Sequence, residues 1–431
     1  MQKKLIILLV FLFLFRLLFG LCSEFWFDDE LQIYLIGLKS YTTGSWPYYG
    51  PDIVYTNTQI AGGLQGLLVS IPFYISATPE APIVFLNLLS FFSLSFLGYY
   101  VTKRTSKIPS WLVYTLILIT PWAMHYSTRV VNPSYALVFA IPFFISLLEL
   151  LPIYSKKIMN PNLAFLILGI STTSIMQLHM SWVLLLPLTG FVFLFRIRKK
   201  LIKQIKTIGI YLLGLFIGIL TLIPTLLLTP NEGPSTLSNV LFNPENWSNL
   251  PIIVLRFFSF AGNEIPYVLG GNTEERLSIV QDQIWSSPFV IFLLLVGFLQ
   301  IGLFIYLLIK PSASKEFTRV KLLVIASLVL LYCSFFFSIK GPASHTFYIF
   351  FPLAICYAFY CYEWLVGKYK PALKILKAIA ISSLIFHLGL GLYNLEHKSL
   401  YKNREKVTRA IEKMDYKELG KRRTDEWGYG F

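Results

Sequence analysis

Charged residues are scarce in this chain. Only 14% of its 431 residues are Asp, Glu, Lys or Arg, whereas a soluble domain carries about 25%. Hydrophobic residues make up 55% of the chain. This balance excludes an ordinary water-soluble enzyme and favours a membrane protein.

Cysteines are few, and a glycine-rich phosphate-binding motif is lacking. The four cysteines lie in or beside apolar segments, without the spacing of metal ligands, so neither a disulfide framework nor a cysteine metal site is expected. The missing glycine-rich motif leaves a soluble nucleotide-sugar fold unsupported.

What the chain has instead is a series of long apolar runs separated by short basic loops. A run of about 20 residues is long enough to cross a hydrocarbon core of about 30 Å. We therefore predict an all-α polytopic membrane protein with about 11 transmembrane helices and with surface helices in the first external loop. The predicted spans are residues 5–22, 81–101, 108–124, 133–151, 162–178, 181–195, 207–228, 288–309, 320–339, 344–366 and 373–392.

The basic residues predict the orientation. The net charge of +15 arises mainly from Lys and Arg in loops, where they mark the cytoplasmic side, so it does not indicate a nucleic-acid partner. Lys3 and Lys4 place the N-terminus inside. The basic segment 102–107 also lies inside only if the apolar run 59–77 does not cross. We expect that run to form an interfacial or re-entrant helix.

This topology divides the chain into two regions. Residues 1–393 are expected to form the transmembrane domain, with a first external loop at about 23–80 and a fourth at about 230–287. Residues 394–431 form a charged tail, placed outside. Its apolar residues predict a short amphipathic surface helix. They are Val407, Ile411, Met414 and Leu419.

The chemically distinctive residues fall on the outer side. Asp28, Asp29 and Glu30 follow the first span, where carboxylates are costly to desolvate and usually serve a function. Aromatic rings suit sugar faces, and Arg binds phosphate through two hydrogen bonds, although many rings on this side belong to an ordinary interfacial belt. The candidate substrate-binding residues are Trp46, Tyr55, Arg129, Asn132, His179, Arg256, Lys340 and His345.

The order of these outer segments resembles the GT-C membrane glycosyltransferases, in the branch of protein O-mannosyltransferases and the lipid A aminoarabinose transferase. Phe27-Asp28-Asp29-Glu30 is followed by Gly44-Ser45-Trp46-Pro47 and by Gly62-Gly63-Leu64-Gln65-Gly66, as in that branch's first external loop. Ser127-Thr128-Arg129-Val130-Val131-Asn132-Pro133 is similar to its second, with Thr128 inserted between the Ser and the Arg. Gln177-Leu178-His179 and His345-Thr346-Phe347-Tyr348 are further, less specific matches.

The resemblance implies an enzyme of the bacterial inner membrane whose active site faces the exterior. Asp29 would be the general base, with Glu30 orienting it or the acceptor and Asp28 competing for the role. The donor would be a polyprenyl-phosphate-linked sugar, and a hydroxyl of a lipid, glycan or protein would attack its anomeric carbon with inversion. Arg129 would stabilise the leaving phosphate.

No cofactor is certain from the sequence. Some relatives carry an acid in the second external loop, where this chain has Asn132. A divalent metal stays open, because Asp28, Asp29, Glu30 and Asp52 could supply oxygen ligands.

Two other functions compete with the transferase. An O-antigen ligase or polysaccharide polymerase also has many spans, but its key residues are Arg and His of a large outer loop. A lipid-linked sugar flippase or transporter places ionisable groups near the midplane of the membrane. Arg16, inside the first span, is expected to pair with a lipid phosphate or an outer-loop acid, or to extend to the interface.

Overall fold

The computed structural model describes residues 2–23, 28–53, 58–197, 202–228, 242–270, 272–338, 341–397 and 404–420. In these ranges the chain is predominantly helical, with one two-stranded sheet. Six of the helices are long and apolar enough to cross a membrane. The chain is therefore an all-α protein with the helices of a multi-pass membrane protein. The six are α1 (Gln2–Ser23), α4 (Ala81–Thr102), α15 (Ser287–Ile309), α16 (Lys315–Phe335), α17 (Phe351–Lys368) and α18 (Ala372–His397).

The other five predicted spans coincide with shorter or interrupted helices, so a count of 11 crossings stays a prediction. Pro121 has no N–H to continue a helix, and Thr120 accepts a hydrogen bond from the Ala123 amide at 3.3 Å, so a new helix begins there. These elements are α5 (Ser110–Leu118), α6 (Pro121–Ser127), α7 (Ser134–Leu150), α8 (Pro161–Met176), a 3₁₀ turn (Met180–Leu184), α9 (Leu185–Ile197), α10 (Ile202–Ile219) and α11 (Ile223–Leu228).

The first external loop contains helices, as the sequence predicts, and also a hairpin that the sequence does not predict. It contains α2 (Asp28–Thr43), an antiparallel hairpin of β1 (Tyr49–Ile53) and β2 (Thr58–Ala61), and α3 (Leu64–Ile75). The 12 residues of α3 rise about 18 Å, well short of a hydrocarbon core of about 30 Å. Its length therefore agrees with the interfacial or re-entrant helix expected for this run.

The fourth external loop and the tail also form helices. The loop carries α12 (Leu250–Ser259), α13 (Pro266–Leu269) and α14 (Thr273–Asp282), and the tail carries α19 (Arg404–Glu412). Val407, Ile411 and Leu419 are buried, as an amphipathic pattern requires. Met414 is exposed, contrary to its place in that pattern, because it follows the end of α19 with a φ of 51°.

The basic loops gather at one end of the bundle. Arg104 forms a buried ion pair with Glu149 and also donates to the Lys156 carbonyl at 2.8 Å. The amide of Ser155 donates to Glu316 at 3.3 Å. These contacts join three loops that the pattern of Lys and Arg places on the same side of the membrane. The loops predicted to lie outside contact one another at the other end.

Candidate functional site

The acidic start of α2 lies against the second external loop. Glu30 Oε1 is 3.8 Å from Arg129 Nη1, and the two side chains are only 5% and 7% exposed. Asp28 and Asp29 are the first residues of α2, where the helix dipole favours negative charge. Their side chains lie outside the described part of the structure. Two predicted site residues from different loops, Glu30 and Arg129, thus form a buried ion pair.

His125 orients the Arg129 guanidinium. Arg129 Nε donates to the His125 carbonyl at 2.9 Å, and Arg129 Nη2 lies 2.7 Å from His125 Nε2. A guanidinium carries only donors, so a ring nitrogen of His125 that faces it can serve only as the acceptor. One turn of chain therefore provides both the cation and the group that fixes its direction.

Arg16 supports the same loop from within the bundle. Its side chain is fully buried, with Nη1 donating to the Leu118 carbonyl at 2.6 Å and Nη2 to Ser127 Oγ at 2.8 Å. Asn87 Nδ2 donates to the next carbonyl, that of Thr128, at 2.8 Å. Arg16 forms no ion pair with a carboxylate among the described residues. Carbonyl and hydroxyl oxygens inside the bundle therefore bind its N–H groups, and pairing with a lipid phosphate or with Asp28 or Asp29, or extension to the interface, stays a prediction.

Aromatic rings connect the second loop to the fourth. Tyr267, in α13, stacks on Trp122 with ring centres 5.3 Å apart and planes 21° apart. The Tyr267 ring also lies 6.1 Å from the His125 ring, and the Arg256 guanidinium lies over it at 5.5 Å. Arg256 and Arg129 thus reach the same group of rings from two loops.

A second ion pair lies beside these rings. Arg256 Nη1 is 3.6 Å from Glu264 Oε2, whose side chain is 6% exposed. Burial raises the pKa of the Glu264 carboxyl above its ordinary value, although Arg256 and Arg276 oppose the shift. Glu264 Oε2 has no hydrogen-bond donor in the described part of the chain. The Glu264 carboxyl, whose pKa is raised, therefore lies beside the guanidinium that contacts the Tyr267 ring.

His179 caps a turn rather than facing solvent. Its Nδ1 accepts from the Ser181 amide at 3.2 Å, at the start of the turn Met180–Leu184. Burial lowers the pKa of His179 to about 3, with a further contribution from nearby His345. The residues after His345 also contact the site, because Tyr348 Oη donates to the Trp122 carbonyl at 3.1 Å. The imidazole of His179 is thus neutral, with its proton on Nε2.

Trp46 lies at the base of the β1–β2 hairpin. A Cβ built on Gly63 would be 2.8 Å from Trp46 Nε1, a buried atom without a hydrogen-bond partner in the described ranges. The Gly63 amide donates to the Thr221 carbonyl at 3.1 Å, which ties the hairpin to the end of α10.

Asn132 is the remaining predicted residue that the structure describes. Its Oδ1 is buried without a hydrogen-bond donor among the described residues, so it can accept a hydrogen bond from a bound molecule. Tyr55 and Lys340 lie outside the described residues. Among those that are described, no group of three His, Cys, Asp or Glu side chains is placed to hold a metal ion, and Asp52 accepts a hydrogen bond from Gln59 at 3.0 Å.

The sequence candidates omit four residues of this region. Trp122, His125, Glu264 and Tyr267 link the predicted arginines, but their positions carry no motif and no periodic signal. The Pro121-Trp122 break between apolar segments is the one local sign that α6 is unusual. The chain matches no protein-family model, no curated protein and no solved structure.

Proposed function

We propose that this protein is an inverting glycosyltransferase that uses a polyprenyl-phosphate-linked sugar on the outer face of a bacterial inner membrane. The observation that carries the proposal is the buried Glu30–Arg129 ion pair, with its two groups 3.8 Å apart. It brings the acidic start of α2 beside a cation of another outer loop, and sugar transfer from a phosphate requires a base and a cation close together.

In this proposal Asp29 is the general base. Its carboxylate removes the proton from the acceptor hydroxyl as that oxygen attacks the anomeric carbon. The bond from the anomeric carbon to the phosphate oxygen breaks, and its electron pair leaves with the lipid phosphate. Adjacent carboxylates raise one another's pKa, which helps a base to work near neutral pH. Glu30, paired with Arg129, orients Asp29 or the acceptor, and Asp28 competes with Asp29 for the role of the base.

Arg129 and Arg256 would act on the phosphate. Negative charge grows on the leaving phosphate, so cations placed there stabilise the transition state more than the bound donor. Both guanidiniums contact the ring cluster of Trp122, His125 and Tyr267. The buried Asn132 Oδ1 offers an acceptor for a hydroxyl of the sugar or of the acceptor.

The test is sugar release from a panel of radiolabelled polyprenyl-phosphate sugars by the purified protein in lipid. Asp29→Asn is expected to abolish turnover, while Asp28→Asn keeps most of it. Glu412→Gln, in the exposed part of the tail, is the charge-matched control and should be fully active. Failure of the wild type to turn over any donor that it binds would refute the proposal.

A ligase or polymerase is the second candidate. Arg256 and Tyr267, both in the large fourth outer loop, favour it because that class uses Arg from such a loop. Its donor would be larger than a single lipid-linked sugar. Turnover of that donor together with insensitivity to Asp29→Asn would select this function instead.

A further inference from the structure

Lysines converge on one tryptophan at the basic end of the bundle, opposite the candidate site. Lys310 Nζ lies 5.0 Å and Lys368 Nζ 5.2 Å from the centre of the Trp364 ring. Lys107 Nζ lies against Gly367, in the space that a Cβ would occupy there. Trp364, Gly367 and Lys368 are three and four positions apart on α17, so they share one helix face. Three ammonium groups therefore meet around this face.

Hydrogen bonds hold this arrangement in place. The amide and hydroxyl of Ser106 both donate to Glu363 Oε1 at 2.9 Å, which fixes the segment carrying Lys107 against α17. Lys310 Nζ donates to Tyr306 Oη at 2.8 Å. Within the described ranges, none of the three lysines forms an ion pair with a carboxylate. The Glu363 carboxylate is bound by Ser106 instead, so the three clustered ammonium groups create an attractive position for an anion.

The surroundings select a lipid over a free anion. Helix α15 leads to Lys310 along an outward apolar face, on which Leu299 is 72% and Ile309 79% exposed. Tyr306, on the same helix, is about half exposed. Such a face contacts acyl chains, and aromatic and basic residues at the end of a span lie at the level of the headgroups. The basic end is also the predicted cytoplasmic side, whose leaflet attracts clusters of Lys and Arg.

We propose that Lys107, Lys310, Lys368 and Trp364 form a binding site for the phosphate headgroup of an anionic phospholipid. The lysines would contact the phosphate oxygens, Trp364 would cover the glycerol, and the acyl chains would follow the exposed face of α15. This site is independent of the proposed transferase activity, because it lies at the other end of the bundle.

Native mass spectrometry of the purified full chain in detergent tests the proposal. Phosphatidylglycerol and phosphatidylcholine are titrated separately, and the lipid-bound fractions are compared. The wild type is expected to retain phosphatidylglycerol preferentially. The variant Lys310→Gln/Lys368→Gln is expected to weaken that retention on the order of tenfold. Lys374→Gln/Lys377→Gln is the matched control, because it removes the same charge from exposed lysines of α18 at the same end and should behave as the wild type.

A charge-preserving variant and a competition experiment complete the test. Lys310→Arg/Lys368→Arg keeps both charges and should retain the lipid, which separates a charge effect from a folding defect. Inorganic phosphate is added as a competitor and should displace little lipid. Equal retention by the Gln variant and its control would refute the site, and efficient displacement by inorganic phosphate would show a site for a soluble anion instead.

Discussion

Arg16 and Ser127 meet inside the bundle, where Arg16 Nη2 donates to Ser127 Oγ at 2.8 Å. Ser127 lies two residues before Arg129, so this contact joins the first span to the loop that carries the candidate phosphate-binding cation. Gly20, one turn further along α1, lies against the Thr128 carbonyl, and a side chain there would collide with it. The position of Arg129 thus depends on α1 as well as on its own loop.

Arg16→Ala is expected to destabilise the protein and to displace Arg129. It leaves buried acceptors at Leu118 and Ser127 without their donor, and each such group costs about 1–3 kcal/mol. Thermal unfolding in detergent should show a lower midpoint, and turnover of the donor should fall more than donor binding. Leu18→Ala, on the exposed side of the same helix, should change neither. An unchanged midpoint for Arg16→Ala would mean that these hydrogen bonds contribute no net stability.

The Glu30–Arg129 pair is expected to be strongly coupled. Removing one member of a buried ion pair leaves the other uncompensated and costs about 3–5 kcal/mol. Glu30→Gln and Arg129→Gln should therefore each destabilise the protein, and the double variant should be more stable than the sum of the two effects predicts. A double-mutant cycle on the free energy of unfolding measures this coupling. The exposed pair Lys413–Glu418, 2.7 Å apart, is the control, with an expected coupling below about 1 kcal/mol. Additive effects at Glu30 and Arg129 would exclude a coupled pair.

The sequence predicts the helices and the two ends of the bundle because run length and loop charge are local properties. The contacts of Arg104 with Glu149 and of Ser155 with Glu316 join loops that this charge pattern places on one side of the membrane. By contrast, α2 has a mixed polar and apolar composition without a long apolar run, so the sequence does not place this helix. Its apolar residues pack on α3, which is a tertiary contact. The Arg256–Tyr267–Trp122 contacts join residues far apart in sequence, and no local pattern encodes them. The sequence singles out Arg16, but its partners are a carbonyl at Leu118 and a hydroxyl at Ser127, and neither gives a local sequence signal.

Glu264 is expected to make stability depend on pH. Burial raises the pKa of its carboxyl above the ordinary value of 4.5, so the folded state binds the proton more tightly than the unfolded state. The stability that this gives is fully present below pH 4.5 and is lost as the pH rises through the raised pKa. The unfolding midpoint of Glu264→Gln, relative to the wild type, should therefore increase between pH 5 and pH 8. Glu274→Gln, at an exposed position of α14, should show no such trend. A relative midpoint for Glu264→Gln that falls over this range would show that the ion pair with Arg256 outweighs burial.

His179 is expected to make stability depend on pH in the direction opposite to that of Glu264. Its folded pKa of about 3 lies below the ordinary value of 6.5, so the unfolded state takes up the proton first. The stability from the neutral imidazole is present above pH 6.5 and is lost as the pH falls toward 3. Asn is a good helix cap that does not titrate, so His179→Asn can keep the bond from the Ser181 amide while removing the proton site.

The measurement is the unfolding midpoint at pH 7.5 and pH 5 for the wild type and His179→Asn. The wild type should lose more stability on acidification than the variant, because only the wild type must keep a buried imidazole neutral against the unfolded state. Leu18→Ala, on the exposed side of α1, is the control, since it removes no titratable group and should keep the full acid sensitivity of the wild type. Equal losses for the wild type and His179→Asn would mean that the turn opens to water when the imidazole is protonated. In that case the turn that His179 caps would not be a fixed part of the outer site.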